Sequence, residues 1–248
     1  MIVAIIPARY GSTRLAGKPL ADINGKPMIR HVYERVQQAT LVDKVLVATD
    51  DRRIALAVES FGGQAVMTSA TMTTGTDRIA FVARSVPDAD IVVNVQGDEP
   101  LIVPEMIDEA VTPLINDTSV SVGTLVREIR SLEELRNPNI VKVVMSVHGS
   151  ALYFSRAVIP YGRDLQEEEL LRRHRFYKHI GLYVFRREFL IRLPEMAQTP
   201  LELTEKLEQL RILESGVAIR ATLTQHDSIP VDTQADLDRV REIARTLL

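Results

Sequence analysis

Residues 1–20, MIVAIIPARYGSTRLAGKPL, place an apolar run directly before a cationic loop. The first six residues are continuously apolar, which is typical of a buried strand. The loop that follows carries Arg9, Arg14 and Lys18 among small residues, and none of the twenty residues is acidic. Small residues let backbone N–H groups approach a phosphate, while Arg and Lys supply the opposing charge. The stretch therefore predicts a phosphate-binding loop at the carboxyl end of a first strand.

This loop matches neither of the two common phosphate-binding motifs. The dinucleotide fingerprint requires G-x-G-x-x-G leading into a helix, and the loop lacks it. Walker A requires four residues between its glycines, whereas five separate Gly11 from Gly17, and Pro19 follows Lys18 where Ser or Thr is needed. On composition alone, a solvated basic loop stays open as the alternative.

The first half of the chain alternates between strand patterns and helix patterns. The predicted strands are MIVAII, KVLVATD, AVMT and ADIVVNVQGDEP, and the predicted helices are KPMIRHVYERVQQA, DRRIALAVESFGG, DRIAFVARSV and PEMIDEAVTPLI. Such alternation predicts an α/β fold with a doubly wound, mostly parallel sheet. Ligands of these sheets bind beyond the carboxyl ends of the strands. The cationic loop and QGDEP both fall there.

From about Ser119 onward the pattern is richer in strands. VSVGTLV, VKVVMSV, ALYFSR and KHIGLYVF read as strands, while RDLQEEELLRRHR is a charged helix or a mobile loop. TPLELTEKLEQLRILESG predicts one helix, because Thr199 suits the N-cap and Gly216 follows the end. We find no linker and therefore expect one domain over 1–248, with a nucleotide-binding half of about 1–118 and a strand-rich half of about 119–248.

Composition excludes several classes of function. The 248 residues are 46% hydrophobic and 25% charged, with a net charge of −3 and no cysteine. The acidic balance argues against a general nucleic-acid or membrane-surface partner. Without cysteine there is no disulfide, thiolate nucleophile or cysteine-bound zinc. No run reaches the roughly 20 apolar residues of a membrane helix, and the N-terminus lacks the basic region of a signal peptide. We expect a soluble, cytoplasmic protein.

IIPARYGSTRLAGKPL resembles the nucleotide-binding signature of the sugar-acid cytidylyltransferases, and more narrowly that of the 3-deoxy-manno-octulosonate (Kdo) cytidylyltransferase family, the CMP-Kdo synthetases. The similarity continues in order through INGKPMI, VATD, GTDR, VNVQGDEP, NPNIVKVV, ALYFSRAVIPY, KHIGLY, LEQLR and VDT, which span essentially the whole chain. One departure is Ala16, where the family usually has proline; it removes no charged group.

The resemblance implies a three-layer, Rossmann-like nucleotidyltransferase fold, with a strand-rich elaboration in the second half. It also implies CTP and Kdo as substrates, Mg²⁺ as cofactor, a homodimer formed through the second half, and a role in bacterial lipopolysaccharide synthesis. Arg9, Lys18 and Asp98 would be the catalytic residues. The nucleotide-binding residues would be Ala8, Arg9, Ser12, Arg14, Lys18, Gly75, Thr76 and Arg78.

Two carboxylates are candidates for the metal. Asp98 follows the apolar strand of VVNVQGDEP, where a simple turn is the alternative. In SIPVDTQADLDRV, Asp232 or Thr233 could instead cap the helix that follows. Magnesium prefers hard oxygen ligands close to phosphate, and the resemblance implies that both residues hold it. We interpret Asp50 and Asp51 as helix caps, and Asp77 as the cap of the helix that begins in GTDR.

KHIGLYVF predicts a strand with two different faces. Ile180, Leu182 and Val184 share a face that suits the core, and the opposite face carries His179, Gly181, Tyr183 and Phe185. The second face can line a cavity, or it can be half-exposed with His179 as a surface histidine. Glu208 and Gln209 project away from the apolar line of their predicted helix, which makes them solvated by default. The resemblance implies that the sugar acid is bound by Gln96, Arg156, His179, Tyr183, Glu208 and Gln209.

Two other functions stay open at this stage. A nucleotidylyltransferase for a sugar 1-phosphate or another acid sugar would need an extra cationic pocket, and the run 172–175, RRHR, could supply one or could be a solvated face. A non-catalytic nucleotide-binding subunit would be expected to lose Lys18 or a metal carboxylate, yet the chain retains Arg9, Lys18, Asp98 and Asp232. No residue stands out as a general base.

Overall fold

The computed structural model describes residues 1–11, 15–72 and 74–247. The strands are β1 (Ile2–Ala8), β2 (Asp22–Ile23), β3 (Lys26–Pro27), β4 (Lys44–Thr49), β5 (Ala65–Met67), β6 (Ile91–Asn94), β7 (Val122–Glu128), β8 (Lys142–Met145), β9 (Ala151–Ser155), β10 (Tyr177–Arg186) and β11 (Ile219–Leu223). The α-helices are α1 (Met28–Val36), α2 (Arg52–Ser60), α3 (Gly75–Arg84), α4 (Pro104–Asn116), α5 (Leu132–Arg136), α6 (Glu167–Arg173), α7 (Arg187–Arg192), α8 (Pro200–Glu205), α9 (Gln209–Glu214) and α10 (Gln234–Leu247).

One mixed sheet organises the protein. Its strand order is β11-β7-β10-β6-β1-β4-β5, with β8 and β9 extending from β10. β1 lies between two parallel neighbours, β4 and β6, and β5 continues the parallel set. β10 runs antiparallel between β6 and β7. The prediction of an α/β fold with a mostly parallel sheet and a strand-rich second half is therefore confirmed.

The helices cover both faces of this sheet and give three layers. β1 divides its side chains between the faces, since Ala4 and Ile6 enter one apolar cluster while Val3 and Ile5 enter the other. This is the period-two alternation of a strand. The first cluster also contains apolar residues of α1, α2 and α4, and the second contains those of α3, α7 and the segment of α8 and α9. Burial on both faces explains the continuous apolar run at residues 2–6.

A smaller third cluster attaches α10 to the rest of the protein. Val231, Leu237 and Val240 pack with Ile23 and Met28, next to the short β2–β3 pair. The helix thereby returns the C-terminal part of the chain to the region that follows β1. Among the described residues, no helix has the length and apolar character that crossing a bilayer requires.

The elements of the first half lie where the patterns predict them, within about two residues at most ends. The prediction of one helix over 199–216 is wrong, because the segment forms α8 and α9 with a turn between them. Lys206 adopts a left-handed conformation with φ of +55°. The guanidinium of Arg211 then binds the carboxylate of Glu202 at 2.6 and 2.8 Å, with both side chains buried. This pair joins α9 to α8 in the turned arrangement. The charged segment before β10 is the helix α6.

Candidate active site

The site begins where β1 and β6 end side by side. Gly97 follows β6, and a Cβ atom there would lie 2.7 Å from the backbone oxygen of Pro7. Only glycine allows the two chain segments to approach this closely. Beyond them lies a cavity of about 420 Å³. Its lining residues are Pro7, Ala8, Arg9, Gly11, Lys18, Pro19, Thr74, Gly75, Arg78, Gln96, Gly97, Asp98 and Asp232.

Lys18 lies between two carboxylates in this first cavity. Its Nζ atom is 2.6 Å from Oδ2 of Asp98 and 3.2 Å from Oδ1 of Asp232. Gly17, directly before it, has a φ of +68°, and its N–H donates to the carbonyl of Tyr10 at 3.0 Å. Lys18 then begins a short 3₁₀ helix, Lys18–Leu20. The local backbone therefore directs the ammonium group toward the acids.

Asp232 is available to the cavity because another residue caps α10. The Thr233 hydroxyl accepts from the backbone N–H of Asp236 at 3.2 Å, and the Asp236 carboxylate accepts from the N–H of Thr233 at 2.8 Å. The interpretation of Asp232 as a helix cap is therefore not supported. Asp98 and Asp232 come from distant parts of the chain and converge on one cation.

These two carboxylates fit a magnesium ion that is shared with phosphate. Within residues 1–11, 15–72 and 74–247 there is no group of three or more His, Cys, Asp or Glu side chains suited to a metal. Magnesium, however, is usually held by one or two carboxylates, with water and phosphate oxygens completing its octahedron. The ammonium of Lys18 marks the point where both carboxylates reach a cation. The donor set therefore fits the metal when a nucleotide supplies the remaining oxygens.

Arg78 forms a fixed cationic wall of the first cavity. Its side chain is only 2% exposed, and it donates to the Thr68 hydroxyl and, at 2.9 Å, to the carboxylate of Asp50. The interpretation of Asp50 as a helix cap is wrong for this reason, whereas Asp51 does cap α2 by accepting from the N–H of Arg53 at 2.9 Å. A buried guanidinium held by a carboxylate presents its positive charge in one orientation.

The N-terminus of α3 borders the same cavity. Thr74 is its N-cap, and its hydroxyl accepts from the N–H of Asp77 at 3.0 Å. Asp77 accepts in return from the N–H of Thr74 at 3.2 Å, so it completes a capping box and is not itself the cap. Gly75 follows Thr74 and lines the cavity. Two predicted nucleotide-binding residues, Arg78 and Gly75, are thus brought together with the opening loop.

A second cavity of about 230 Å³ adjoins the first and shares Gly75 and Gln96 with it. The residues that line it are Gly75, Thr76, Asn94, Gln96, Tyr183, Phe185, Glu208, Gln209 and Ile212. Because the chain turns at Lys206, Glu208 and Gln209 face inward, and Gln209 is only 7% exposed. Both side chains therefore line a cavity, where the resemblance implies that they lie, and the solvated default does not hold. Thr76 belongs to this cavity and not to the first, and its hydroxyl donates to the carboxylate of Glu208.

Aromatic rings of β10 form one wall of the second cavity. Tyr183 stacks on Phe185 with 5.7 Å between ring centroids, and His179 lies 5.1 Å from the Tyr183 ring. Burial lowers the pKa of His179 to about 4, so its ring is neutral near pH 7. Its Nε2 atom is 3.0 Å from the hydroxyl of Thr124. His179 is half-buried, contacts the Tyr183 ring and lines neither cavity.

Comparison with known proteins agrees with this geometry. A family model described as Cytidylyltransferase matches residues 3–219. The 3-deoxy-manno-octulosonate cytidylyltransferase of Geobacter metallireducens is 58% identical over 97% of this chain and 96% of its own length. The chain belongs to the 3-deoxy-manno-octulosonate cytidylyltransferase family.

Solved structures agree with that assignment. A structure of CMP:2-keto-3-deoxy-manno-octonic acid synthetase complexed with CTP superposes with a TM-score of 0.93 at 44% identity, covering 100% of this chain and 99% of that one. A cytidylyltransferase from Leptospira borgpetersenii, 17% identical with a TM-score of 0.65, covers 100% of this chain and 87% of that one, and shares the fold. The three-layer nucleotidyltransferase fold implied by the opening motif is confirmed.

Some of the predicted site residues lie elsewhere. Arg156 lines neither cavity, and its guanidinium donates to the carbonyls of Glu205 at 2.9 Å and Pro138 at 3.1 Å. The basic run 172–175 lines neither cavity either. Ser12 and Arg14 lie outside the described residues. Ala8, Arg9, Lys18, Gln96 and the two metal candidates do meet at the first cavity.

Sequence reasoning did not find two buried polar residues: Glu99, which follows the lining residue Asp98 but lines neither cavity itself, and Asn94. Glu99 is 7% exposed, and burial, together with the adjacent charge of Asp98, raises its pKa to about 7. Asn94 is 4% exposed and lines the second cavity. The signal for Asn94 was present in the letters IVVN, where one amide ends an otherwise apolar strand. A polar side chain in a strand buried on both faces requires a partner, which a ligand can supply.

Proposed function

We propose that this chain transfers the cytidylyl group of CTP to the anomeric hydroxyl of Kdo, releasing pyrophosphate. The observation that carries the proposal is the pair of adjoining cavities. The first cavity is lined by cationic side chains and two carboxylates, and the second by aromatic and polar side chains. Gly75 and Gln96 line both cavities. A transfer reaction between two substrates requires this kind of adjacency. The named relatives catalyse a reaction of this class.

The first cavity suits the triphosphate of CTP. Arg9, Lys18 and Arg78 provide positive charge, and Gly11 and Gly75 leave backbone open to phosphate oxygens. We infer that Ser12 and Arg14 complete this group from the opening loop. Phosphoryl-type transfer depends chiefly on positioning and on neutralising the charge of the phosphate oxygens. The Lys and the two Arg side chains that line the cavity can perform both tasks.

Asp98 and Asp232 are the residues that would hold Mg²⁺. Bound there, the metal neutralises phosphate charge and lowers the pKa of the attacking hydroxyl. Lys18 forms ion pairs with the same two carboxylates, and the phosphates of a bound nucleotide offer its ammonium an alternative partner. The chain therefore keeps its own acids neutralised until the nucleotide arrives.

The second cavity suits the sugar acid. Gln96 lies on the common wall, and its amide donates to the carbonyl of Gly181 at 3.4 Å, which orients it toward both cavities. We infer that Gln96, Tyr183, Glu208 and Gln209 hold Kdo so that its anomeric oxygen approaches the α-phosphorus in line with the departing pyrophosphate. His179 would act through Tyr183.

Arg156 remains our proposed ligand of the Kdo carboxylate, since a planar guanidinium binds a carboxylate through two hydrogen bonds. In that role its guanidinium would exchange the carbonyls of Glu205 and Pro138 for the substrate. The alternative of a sugar 1-phosphate acceptor, which would need a second cationic pocket, has no support at residues 172–175, because that run lines neither cavity.

We further propose a cytoplasmic homodimer that acts in lipopolysaccharide synthesis. The strand-rich second half supports the dimer, because three large apolar side chains in or near β8 and β9 are exposed. Leu152 is 59% exposed, Tyr161 88% and Val147 97%. Exposed apolar side chains concentrated in one stretch of the chain, here 147–161, are typical of protein interfaces.

The test of the activity is pyrophosphate release with CTP and magnesium, with and without Kdo. ATP, GTP and UTP replace CTP in parallel reactions. Release only with CTP and Kdo together supports the proposal. Release with another acid sugar, and none with Kdo, would assign that other sugar to the second cavity. No release with any pair favours a non-catalytic nucleotide-binding subunit.

A further inference from the structure

Two buried polar atoms in the second cavity have no partner within the part of the chain that the structure describes. They are Oδ1 of Asn94 and the phenolic oxygen of Tyr183. Both residues line the cavity. A buried polar group without a hydrogen bond costs about 1–3 kcal/mol. Because both residues line one cavity, a ligand bound there can supply the missing bonds.

The sheet holds these two residues next to each other. Asn94 ends β6, and Tyr183 lies directly opposite it in the antiparallel register of β10. Residues paired in this way project from the same face of the sheet, with Cβ atoms about 5 Å apart. Stacking on Phe185 fixes the Tyr183 ring. The strand pairing therefore holds the two side chains on one face of the rigid part of the fold.

Their chemistry selects the ligand group. The Asn94 oxygen can only accept a hydrogen bond. Burial and the charge of Glu208 raise the pKa of Tyr183, so its phenol keeps its proton and can donate. A hydroxyl group both donates and accepts, and thus satisfies both atoms at once. A carboxylate only accepts and would leave the Asn94 oxygen unpaired.

We propose that Asn94 and Tyr183 together recognise one hydroxyl of the acceptor, and that Asn94 is a specificity-determining residue of the second cavity. This inference rests on the proposed function and deepens it, because it assigns one polar pair to a hydroxyl and not to the acid group of the sugar. The hydroxyl donates to Oδ1 of Asn94 and accepts from the phenol of Tyr183. An acceptor that lacks this hydroxyl leaves both buried groups unpaired.

The experiment combines two variants with a set of substrates. Asn94→Leu removes the amide at similar volume, and Tyr183→Phe removes only the phenolic oxygen. Asn116→Leu, an exposed asparagine at the end of α4, is the matched control. The substrates are Kdo and analogues that each lack one hydroxyl other than the anomeric one. The readouts are kcat/KM from pyrophosphate release, CTP affinity by calorimetry and the melting temperature.

The expected result is that the two variants discriminate less between Kdo and one analogue than the wild type does. The wild type and Asn116→Leu use one analogue on the order of 10–100-fold less efficiently than Kdo. Asn94→Leu and Tyr183→Phe use Kdo 10–100-fold less efficiently than the wild type does, and each discriminates between Kdo and that analogue less than the wild type does, because each keeps only one of the two bonds to the hydroxyl. CTP affinity is unchanged, because neither residue lines the first cavity.

Other outcomes overturn the inference. These are a wild type that does not discriminate among the analogues, or variants that discriminate as the wild type does. If Asn94→Leu does not fold, Tyr183→Phe decides by the same ratio. A wild type that releases no pyrophosphate with CTP and Kdo overturns the proposed function together with the inference. Failure of the proposed function is distinguishable from failure of the inference alone, because only the former leaves the wild-type chain without activity.

Discussion

Replacement of Lys18 by methionine tests the centre of the first cavity. Methionine keeps the unbranched chain as far as Cε and removes the charged ammonium group. In the wild type, Nζ lies 2.6 Å from Asp98 and 3.2 Å from Asp232. Removing a charge that stabilises the transition state typically costs 10²–10³ in kcat, or about 3–4 kcal/mol. We therefore expect kcat to fall by about 10²–10³ at saturating CTP, Kdo and magnesium.

The effect of the same change on folding is expected to be much smaller. The Asp98 and Asp232 side chains are 29% and 39% exposed, so solvent and salt screen their attraction to Lys18. Pairs of this kind contribute roughly 1 kcal/mol or less to the free energy of unfolding. For a chain of this size, about 1 kcal/mol corresponds to a change of about 2–4 °C in melting temperature. A large kinetic loss with a small thermal shift separates catalysis from folding.

The assay measures pyrophosphate release and, in parallel, the melting temperature. Lys26→Met is the matched control, because Lys26 also pairs with a carboxylate, Glu34, at 2.8 Å and lines neither cavity. The control is expected to stay within twofold of wild-type kcat. A Lys18→Met variant that keeps kcat within tenfold of the wild type would refute the assignment of Lys18 to the transition state.

Three further predictions concern Gly97 between the ends of β1 and β6, the second cavity, and the pH dependence of stability. Gly97→Ala places a methyl group 2.7 Å from the Pro7 carbonyl oxygen, so the unfolding free energy, measured by denaturant titration, is expected to fall by about 1–3 kcal/mol. Glu208→Gln is expected to raise KM for Kdo by about 10–100-fold while leaving KM for CTP unchanged, since Glu208 lines only the second cavity. The pKa of His179 is 6.5 in the unfolded chain and about 4 in the folded protein, so the unfolded chain binds the proton more readily. The contribution of His179 to the free energy of unfolding is therefore fully present above pH 6.5. It declines between pH 6.5 and 4, by at most about 3 kcal/mol. His179→Phe, followed by denaturant titration across this range, is expected to remove that part of the decline.

Each of these has a control and a contradicting result. An unchanged unfolding free energy in Gly97→Ala would mean that the ends of β1 and β6 separate without cost. Glu214→Gln changes an exposed acid of α9 and is expected to leave both KM values unchanged; equal effects of Glu208→Gln on Kdo and CTP would contradict two distinct cavities. Exposed His148 serves as the control for His179, and a His179→Phe variant with the wild-type pH profile would show that His179 does not cause the decline.

Local patterns predicted the first half of the fold well, for a physical reason. The strands β1, β4 and β6 are buried on both faces and each helix presents one apolar side, so both patterns are visible in the sequence. β11 escaped prediction because its place is set by parallel pairing with β7, almost a hundred residues earlier. The turn at Lys206 escaped prediction because the buried ion pair of Arg211 and Glu202 stabilises it, and no local signal reports that pair.

The site residues likewise divide into those that local sequence predicted and those that depend on contacts between distant parts of the chain. The cationic loop after β1 was visible in the sequence, because its position and composition both point to phosphate. The convergence of Asp98 and Asp232 came only from the family resemblance, since a turn and a helix cap explained each residue alone. The pairing of Asp50 with Arg78 depends on the contact between two helix starts, and a cap was the nearer explanation. Inward-facing Glu208 required the turn that the helical pattern concealed.

The attachment of α10 has a consequence for how activity is lost on heating. Asp232 lies just before this helix, and the helix is held by the small third cluster of Val231, Leu237 and Val240 with Ile23 and Met28. Detachment of α10 exposes only that cluster, so it costs less free energy than melting of the sheet. Gentle warming is therefore expected to release Asp232 from Lys18 and silence the enzyme while the far-ultraviolet circular dichroism of the sheet is still intact, and cooling restores the activity.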